Sequence, residues 1–209
     1  KTGKPKVNVI GHSQGGLDAR VLASPAGLGY GDRIASVTTV ATPHRGSKVA
    51  DLSLGLMNGV SQSTVDAVTS GLLQVLEKTA YELQSDPHLR AQVTELTQSY
   101  MVGTFNPKYA DDARVLYMSY AGRTNQRTGE GACEGAWLGN DPSQLDTPQL
   151  ALAPMATFLE EGRQIQNDGL VTVDSARWGV FMKCVAADHM KEVGQLGPQS
   201  FDQKAFFRT

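Results

Sequence analysis

The sequence predicts an α/β fold with a mostly parallel sheet and flanking helices, and three observations carry that expectation. Short runs at Lys6–Ile10, Ile34–Val40, Val115–Tyr120 and Phe181–Val185 read as strands, the first buried and the second alternating and β-branched. The first two enclose a helical stretch, and strand, helix, strand at this spacing implies parallel pairing through a crossover helix. The chain of 209 residues is long enough for one real core and carries no repeat, low-complexity tract or linker that would divide it. Residues 1–209 are therefore expected to form a single domain.

The elements follow in order. Lys6–Ile10 is a short strand after a proline, and Gly11–Gly16 is a turn. Leu17–Ala23 is a helix that runs into the Ser24–Pro25 break. Ile34–Val40 alternates as a second strand and ends at Thr42–Pro43. Residues 46–101 place Val65, Val68, Leu72, Leu73, Val75 and Leu76, then Leu83, Leu89, Val93 and Leu96, at helical spacing. They read as two or three amphipathic helices, and the stretch of about 51–101 is either plain cover for the sheet or a mobile lid over an apolar site. Val115–Tyr120 is the third strand. Residues 122–148 form a long polar, glycine-rich excursion around Trp137, of the kind that is usually functional or tied down. Asp168 lies on a turn, and His189 closely follows the fourth strand, Phe181–Val185.

Composition removes several classes. Hydrophobic residues are 40% and charged residues 19%, an ordinary globular mix. A net charge of −2 points to neither nucleic acid nor an anionic membrane as the main partner. No apolar run approaches the ~18 residues of a transmembrane segment. The chain opens at Lys1 without methionine or a signal-like stretch, so its start is expected to be processed, cut or engineered. Cys133 and Cys184 could form a bridge or stay as two thiols.

Gly11-His12-Ser13-Gln14-Gly15 carries the chemistry. A serine between a strand and a helix, on a turn tight enough to strain its backbone, projects its hydroxyl out of the sheet. Strand and helix pass close there, so Gly11, Gly15 and Gly16 are expected to be small for steric reasons. The backbone N–H of Gln14 then opens the helix and faces a developing oxyanion. A serine hydroxyl needs a base, and the base needs an orienting acid. Of the four histidines, His12 adjoins Ser13 inside the turn and points away from it. His44 packs under the site, and His88 sits at an exposed helix start. His189, last in the chain and just past a strand, is the expected base. For the acid, Asp168 leads on spacing, with Asp141 and Asp174 as competitors.

A family resemblance rests on three segments: Lys6-Val-Asn-Val-Ile-Gly-His-Ser-Gln-Gly-Gly-Leu17, Ala35-Ser-Val-Thr-Thr-Val-Ala-Thr-Pro-His-Arg-Gly-Ser47 and Asn167-Asp-Gly-Leu-Val171. In order and spacing the chain resembles the secreted bacterial triacylglycerol lipases of the Pseudomonas–Burkholderia type, of the α/β-hydrolase superfamily. The similarity is weaker through residues 51–110. The resemblance implies a secreted ester hydrolase acting on lipid at an oil–water interface, with Ser13, Asp168 and His189 as its catalytic residues. It implies a lid within the helices after Ala50. Leu17 and the apolar face of the 51–100 stretch are candidates for the acyl-chain groove. A sterol or short-chain esterase, an acyltransferase of the same fold and a non-catalytic hydrolase-derived subunit are the alternatives.

Three departures qualify what the resemblance implies. The family begins with an earlier strand that supplies a second oxyanion N–H, and no such segment precedes Lys1. The N-terminal strands are thus expected to be missing, with an N-terminal fragment of the same enzyme completing the fold. The family also holds a structural calcium near the catalytic histidine. At its ligand positions stand Asp146, Lys191 and Gln195. An ammonium cannot bind calcium, so no cofactor is expected; Lys191 takes the ion's place and pairs with Asp146, or else is simply exposed. The family's disulfide has Asp174 at one of its positions, so it does not carry over. A different bridge would tie the 122–148 excursion to the strand before His189.

Overall fold

The computed structural model describes residues 3–77, 80–124, 133, 147–160, 165–195 and 201–208. Four strands, β1 (Val7–His12), β2 (Ile34–Val40), β3 (Leu116–Gly122) and β4 (Val180–Val185), form one sheet in the order β1-β2-β3-β4. All three pairings are parallel, with Gly11 opposite Thr39 and Thr39 opposite Ser119. A parallel pair needs a crossover, and each connection is helical. Helix α1 (Gln14–Ala23) joins β1 to β2. Helices α2 (Lys48–Ser53), α3 (Gln62–Val75), α4 (Ala80–Ser85) and α5 (Pro87–Glu95) follow β2. The short α6 (Gln98–Tyr100) and α7 (Asn106–Lys108) then flank a π-helical turn, Met101–Phe105. Helices α8 (Thr147–Glu160) and α9 (Val173–Ala176) precede β4, and α10 (Gln203–Phe206) ends the described chain.

The four expected strands are present, helix α8 is an element the sequence did not reveal, and two further differences appear. Within residues 46–101 the described residues form five helices, α2 to α6, and not two or three. The excursion between β3 and α8 lies outside the described residues apart from Cys133, and Trp137 and Asp141 lie within it.

Core formation explains the layering. Val9, Val37 and Tyr117 point to the face that packs on Ala19 and Ala23 of α1. A larger core joins α2, α3, α4 and α5 to α8 through Leu52, Val68, Leu72, Leu83, Leu152 and Met155, and extends to Leu170, Val171 and Met190. The helices after β2 thus share one apolar core with the loops that carry Asp168 and His189. On the opposite sheet face Ile10, Leu116, Val180 and Met182 are exposed, and Phe206 of α10 packs edge-on against Tyr120. Among the described residues, no helix is long and apolar enough to cross a membrane.

Candidate active site

The strand-to-helix turn after β1 places Ser13 at φ 53°, ψ −130°, a backbone conformation that L-residues with side chains rarely adopt. The turn is held by the Ser13 N–H donating to the Val40 carbonyl at 2.9 Å and the Gly16 N–H donating to the Ser13 carbonyl at 3.0 Å. A Cβ on Gly11 would lie 2.4 Å from the Gly15 carbonyl oxygen, and one on Gly16 would lie 2.0 Å from Thr42 Oγ1. Close approach of β1 to the start of α1 therefore accounts for Gly11, and the Thr42 side chain after β2 accounts for Gly16. Neither accounts for Gly15, whose Cβ would meet nothing within 4 Å among the described residues.

Asp168, on the turn between α8 and α9, and His189, in the loop after β4, converge on the Ser13 turn. The Ser13 hydroxyl donates to His189 Nε2 at 2.8 Å, and His189 Nδ1–H donates to Asp168 Oδ2 at 2.8 Å. Asp168 is fully buried, and its other carboxylate oxygen accepts the N–H groups of Leu170 and Val171 at 2.9 and 2.7 Å. The His189 N–H donates to the Asp168 carbonyl at 2.9 Å, so acid and base are locked by backbone as well as side chain. The competitor Asp174 sits exposed on α9. Gln14 is the first residue of α1, with Ser13 as its N-cap.

The loop that follows β2 and the segment that carries Asp168 are in contact. Ser47 Oγ donates to the Leu170 carbonyl at 2.6 Å, Ser175 Oγ donates to the Gly46 carbonyl at 2.7 Å, and the Arg45 N–H donates to Ser175 Oγ at 3.1 Å. The Thr42–Ser47 loop is thus a buttress for the acid turn.

No protein-family model matches the chain. Over its whole length it is 31% identical to a triacylglycerol lipase of Pseudarthrobacter phenanthrenivorans, of which it covers 73%. It is also 31% identical to a triacylglycerol lipase of Burkholderia plantarii, of which it covers 65%. The chain belongs to the triacylglycerol lipase family. Among solved structures it resembles the Staphylococcus hyicus lipase, at a TM-score of 0.56 and 16% identity, covering 97% of this chain and 68% of that one. It also resembles a metagenomic carboxyl esterase, at 0.57 and 23%, covering 88% of this chain and 45% of that one. The fold is that of the α/β hydrolases.

Other groups in this lipase-family chain surround the Ser13–His189–Asp168 relay. His12 does not contact solvent alone: its Nε2 lies 3.0 Å from the His189 carbonyl and 3.2 Å from Glu192 Oε2, with its ring 4.6 Å from the His189 ring. Burial first, then the charge of a protonated His189, lowers its pKa to about 3, against the opposing hydrogen bond to the His189 carbonyl. Glu192 is completely buried, and burial, followed by Asp168 and Asp188, holds its carboxyl well above the usual range. Sequence reasoning passed over Glu192; its one signal was a carboxylate one helical turn beyond His189.

His44 lies under the site as expected, buried, with Nε2 3.0 Å from Thr39 Oγ1 and its ring stacked on Trp178. It meets Arg20, a buried guanidinium that stacks on Trp178 at 3.7 Å, donates to Asn106 Oδ1 at 2.8 Å and lies 3.5 Å from Asp111. Burial lowers the Arg20 pKa to about 10, with Asp111 opposing. This cluster anchors α1 from below. His88 is exposed at the start of α5, with its N–H capped by Asp86 at 2.8 Å. Leu17 is buried against Met101 and Phe105. On α5, Gln92 Nε2 donates to Gln14 Oε1 at 3.1 Å and connects that helix to the serine turn.

At the positions of the family's calcium ligands, Asp146 lies outside the described residues and Gln195 is exposed. Lys191 is fully buried, not exposed. Cys133 and Cys184 are joined in a disulfide, which ties the excursion to β4.

Proposed function

We propose that this chain hydrolyses long-chain acylglycerol esters through an acyl-enzyme formed on Ser13, within a single domain spanning residues 1–209. The observation that carries this reading is the unbroken relay from Ser13 Oγ through His189 to Asp168, at 2.8 Å in both steps, on a strained strand-to-helix turn.

The chemistry follows from the geometry. His189 Nε2 takes the Ser13 proton as Oγ attacks the ester carbonyl carbon. The carbonyl oxygen gains the electron pair and faces the backbone N–H of Gln14 at the positive end of α1. Asp168 fixes the Nδ1–H tautomer and stabilises the imidazolium. The tetrahedral species expels the alcohol, which carries away the proton from Nε2. Water then gives a proton to His189 and attacks the acyl carbon, and the fatty acid leaves as Ser13 regains its hydrogen. No cofactor enters any step.

The helices of residues 51–101 act as a lid, and the Gln92–Gln14 hydrogen bond supports this reading by latching α5 to the oxyanion residue. Substrate reaches the site at an oil–water interface. Secretion fits the disulfide, because such bonds persist in oxidising compartments.

The test is labelling with an active-site organophosphonate, read by peptide mass, together with rates across acyl length. Modification of Ser13 and rates rising with acyl length above the substrate's solubility limit are expected. An unreactive Ser13 would sink the reading. A preference for soluble short-chain esters would make the chain an esterase instead.

A further inference from the structure

Calcium does not fit the residues around the His189 turn. The ion takes about six to eight oxygen ligands, and at a ligand position stands Lys191, whose ammonium carries none. That side chain is fully buried. Its Nζ lies 3.6 Å from Asp188 Oδ2, and the two side chains are 0% and 1% exposed.

The pair straddles the proposed base, since Asp188 immediately precedes His189 and Lys191 follows Met190. Backbone bonds close the same turn: the Lys191 N–H donates to the Asp188 carbonyl at 2.9 Å, and the Glu192 N–H donates to it at 3.3 Å. Three buried carboxyl side chains, Asp168, Asp188 and Glu192, crowd this turn. A buried carboxylate calls for a cation nearby, and Lys191 Nζ lies beside Asp188.

We propose that Lys191 is a built-in cation, a positioning residue that holds the His189 turn where relatives of this type hold calcium. It acts through Asp188 and the backbone of the turn, and touches no substrate. A side chain supplied by the chain itself is always present, so the geometry of the base becomes independent of free calcium. The inference rests on His189 as the base.

The experiment compares wild type, Lys191→Met and Lys191→Arg, each in calcium chloride and in a calcium chelator. Tm and steady-state kinetics on a soluble ester are the readouts. Wild-type Tm should agree within about 1 °C in the two media. Lys191→Met should lower kcat about tenfold or more with KM nearly unchanged, because a displaced base fails in the transition state and not in substrate binding. Lys191→Arg should recover part of that loss. A wild-type Tm that falls in chelator and returns with calcium overturns the proposal, and so does wild-type kcat in Lys191→Met. If Lys191→Met does not fold, the wild-type Tm comparison and the kcat of Lys191→Arg decide. Failure of the catalytic reading is seen separately, as a Ser13 that ignores the organophosphonate while the Tm comparison still reports on the tether.

Discussion

His12 and Glu192 meet beside the base, 3.2 Å apart, and they titrate in opposite senses. His12 falls from 6.5 to about 3 on folding, so between these values the unfolded chain binds a proton that the native chain refuses. Its contribution is present above about pH 6.5 and is lost as the pH falls towards 3. His44, also pushed down by burial, works in the same direction. Glu192 is raised, so the native chain keeps a proton that the unfolded chain releases above its ordinary value of 4.5. Its contribution is present below 4.5 and is lost as the pH rises through the raised folded value. The two slopes overlap between about pH 4.5 and 6.5, and stability should be greatest there. Replacing His12 with glutamine should flatten the acid side, and Glu192→Gln should flatten the alkaline side, in Tm measured against pH. Superimposable profiles for wild type and His12→Gln would refute the assignment. At Asp168 the proposed role is sharper: Asp168→Asn should cut kcat by about 10⁴-fold, because the amide favours the wrong His189 tautomer. A kcat within tenfold of wild type would remove Asp168 from that role. These roles differ in how far the sequence revealed them. Ser13, Asp168 and His189 announce themselves through motif, order and spacing. His12 and Glu192 do not, because their importance lies in burial against each other across the fold.

At the scale of elements, legibility followed periodicity. Strand β2 runs over Ile34–Val40, as its alternation indicates. Helix α8 was missed, and its sequence shows why. Thr147–Glu160 is rich in the helix formers Ala, Leu and Met, but Pro154 interrupts that signal and few polar residues mark a solvent face. It folds as a helix because Leu152, Met155 and Leu159 are enclosed by the core. The elbow itself makes a prediction at this scale. In Gly16→Ala the new methyl would press on Thr42, which belongs to the buttress loop, and overpacking of this kind costs about 1–3 kcal/mol. A lowered denaturation midpoint at unchanged slope would report it, and an unchanged midpoint would mean that the loop yields. The proposed lid latch is tested by Gln92→Ala. Loss of its bond to Gln14 should raise the rate on dissolved ester relative to emulsified ester, while an unchanged ratio would argue against a latch.

At the scale of the molecule, the disulfide strengthens the fold around the base. The sequence left the pairing open, because two cysteines 51 residues apart carry no local signal of contact. Folding makes the pairing sensible: Cys184 lies fully buried in β4, the last strand before the His189 turn, within the core that also holds α3, α5 and α8. The bridge therefore ties the excursion after β3 to the strand that delivers the base. Closing a loop of this length restricts the unfolded chain by about 4 kcal/mol in the chain-entropy view. For a chain of this size that is roughly 10 °C in Tm. Cys133→Ser, or reduction by a dithiol that leaves two protein thiols and is itself oxidised to a cyclic disulfide, should lower Tm by about that amount. The relay itself does not pass through the bridge, since Ser13, His189 and Asp168 are joined by their own hydrogen bonds. Well below the new Tm, kcat should consequently stay within a few-fold of wild type. A large loss of kcat at low temperature would show instead that the bridge sets the geometry of the base, and not only the stability of the fold around it.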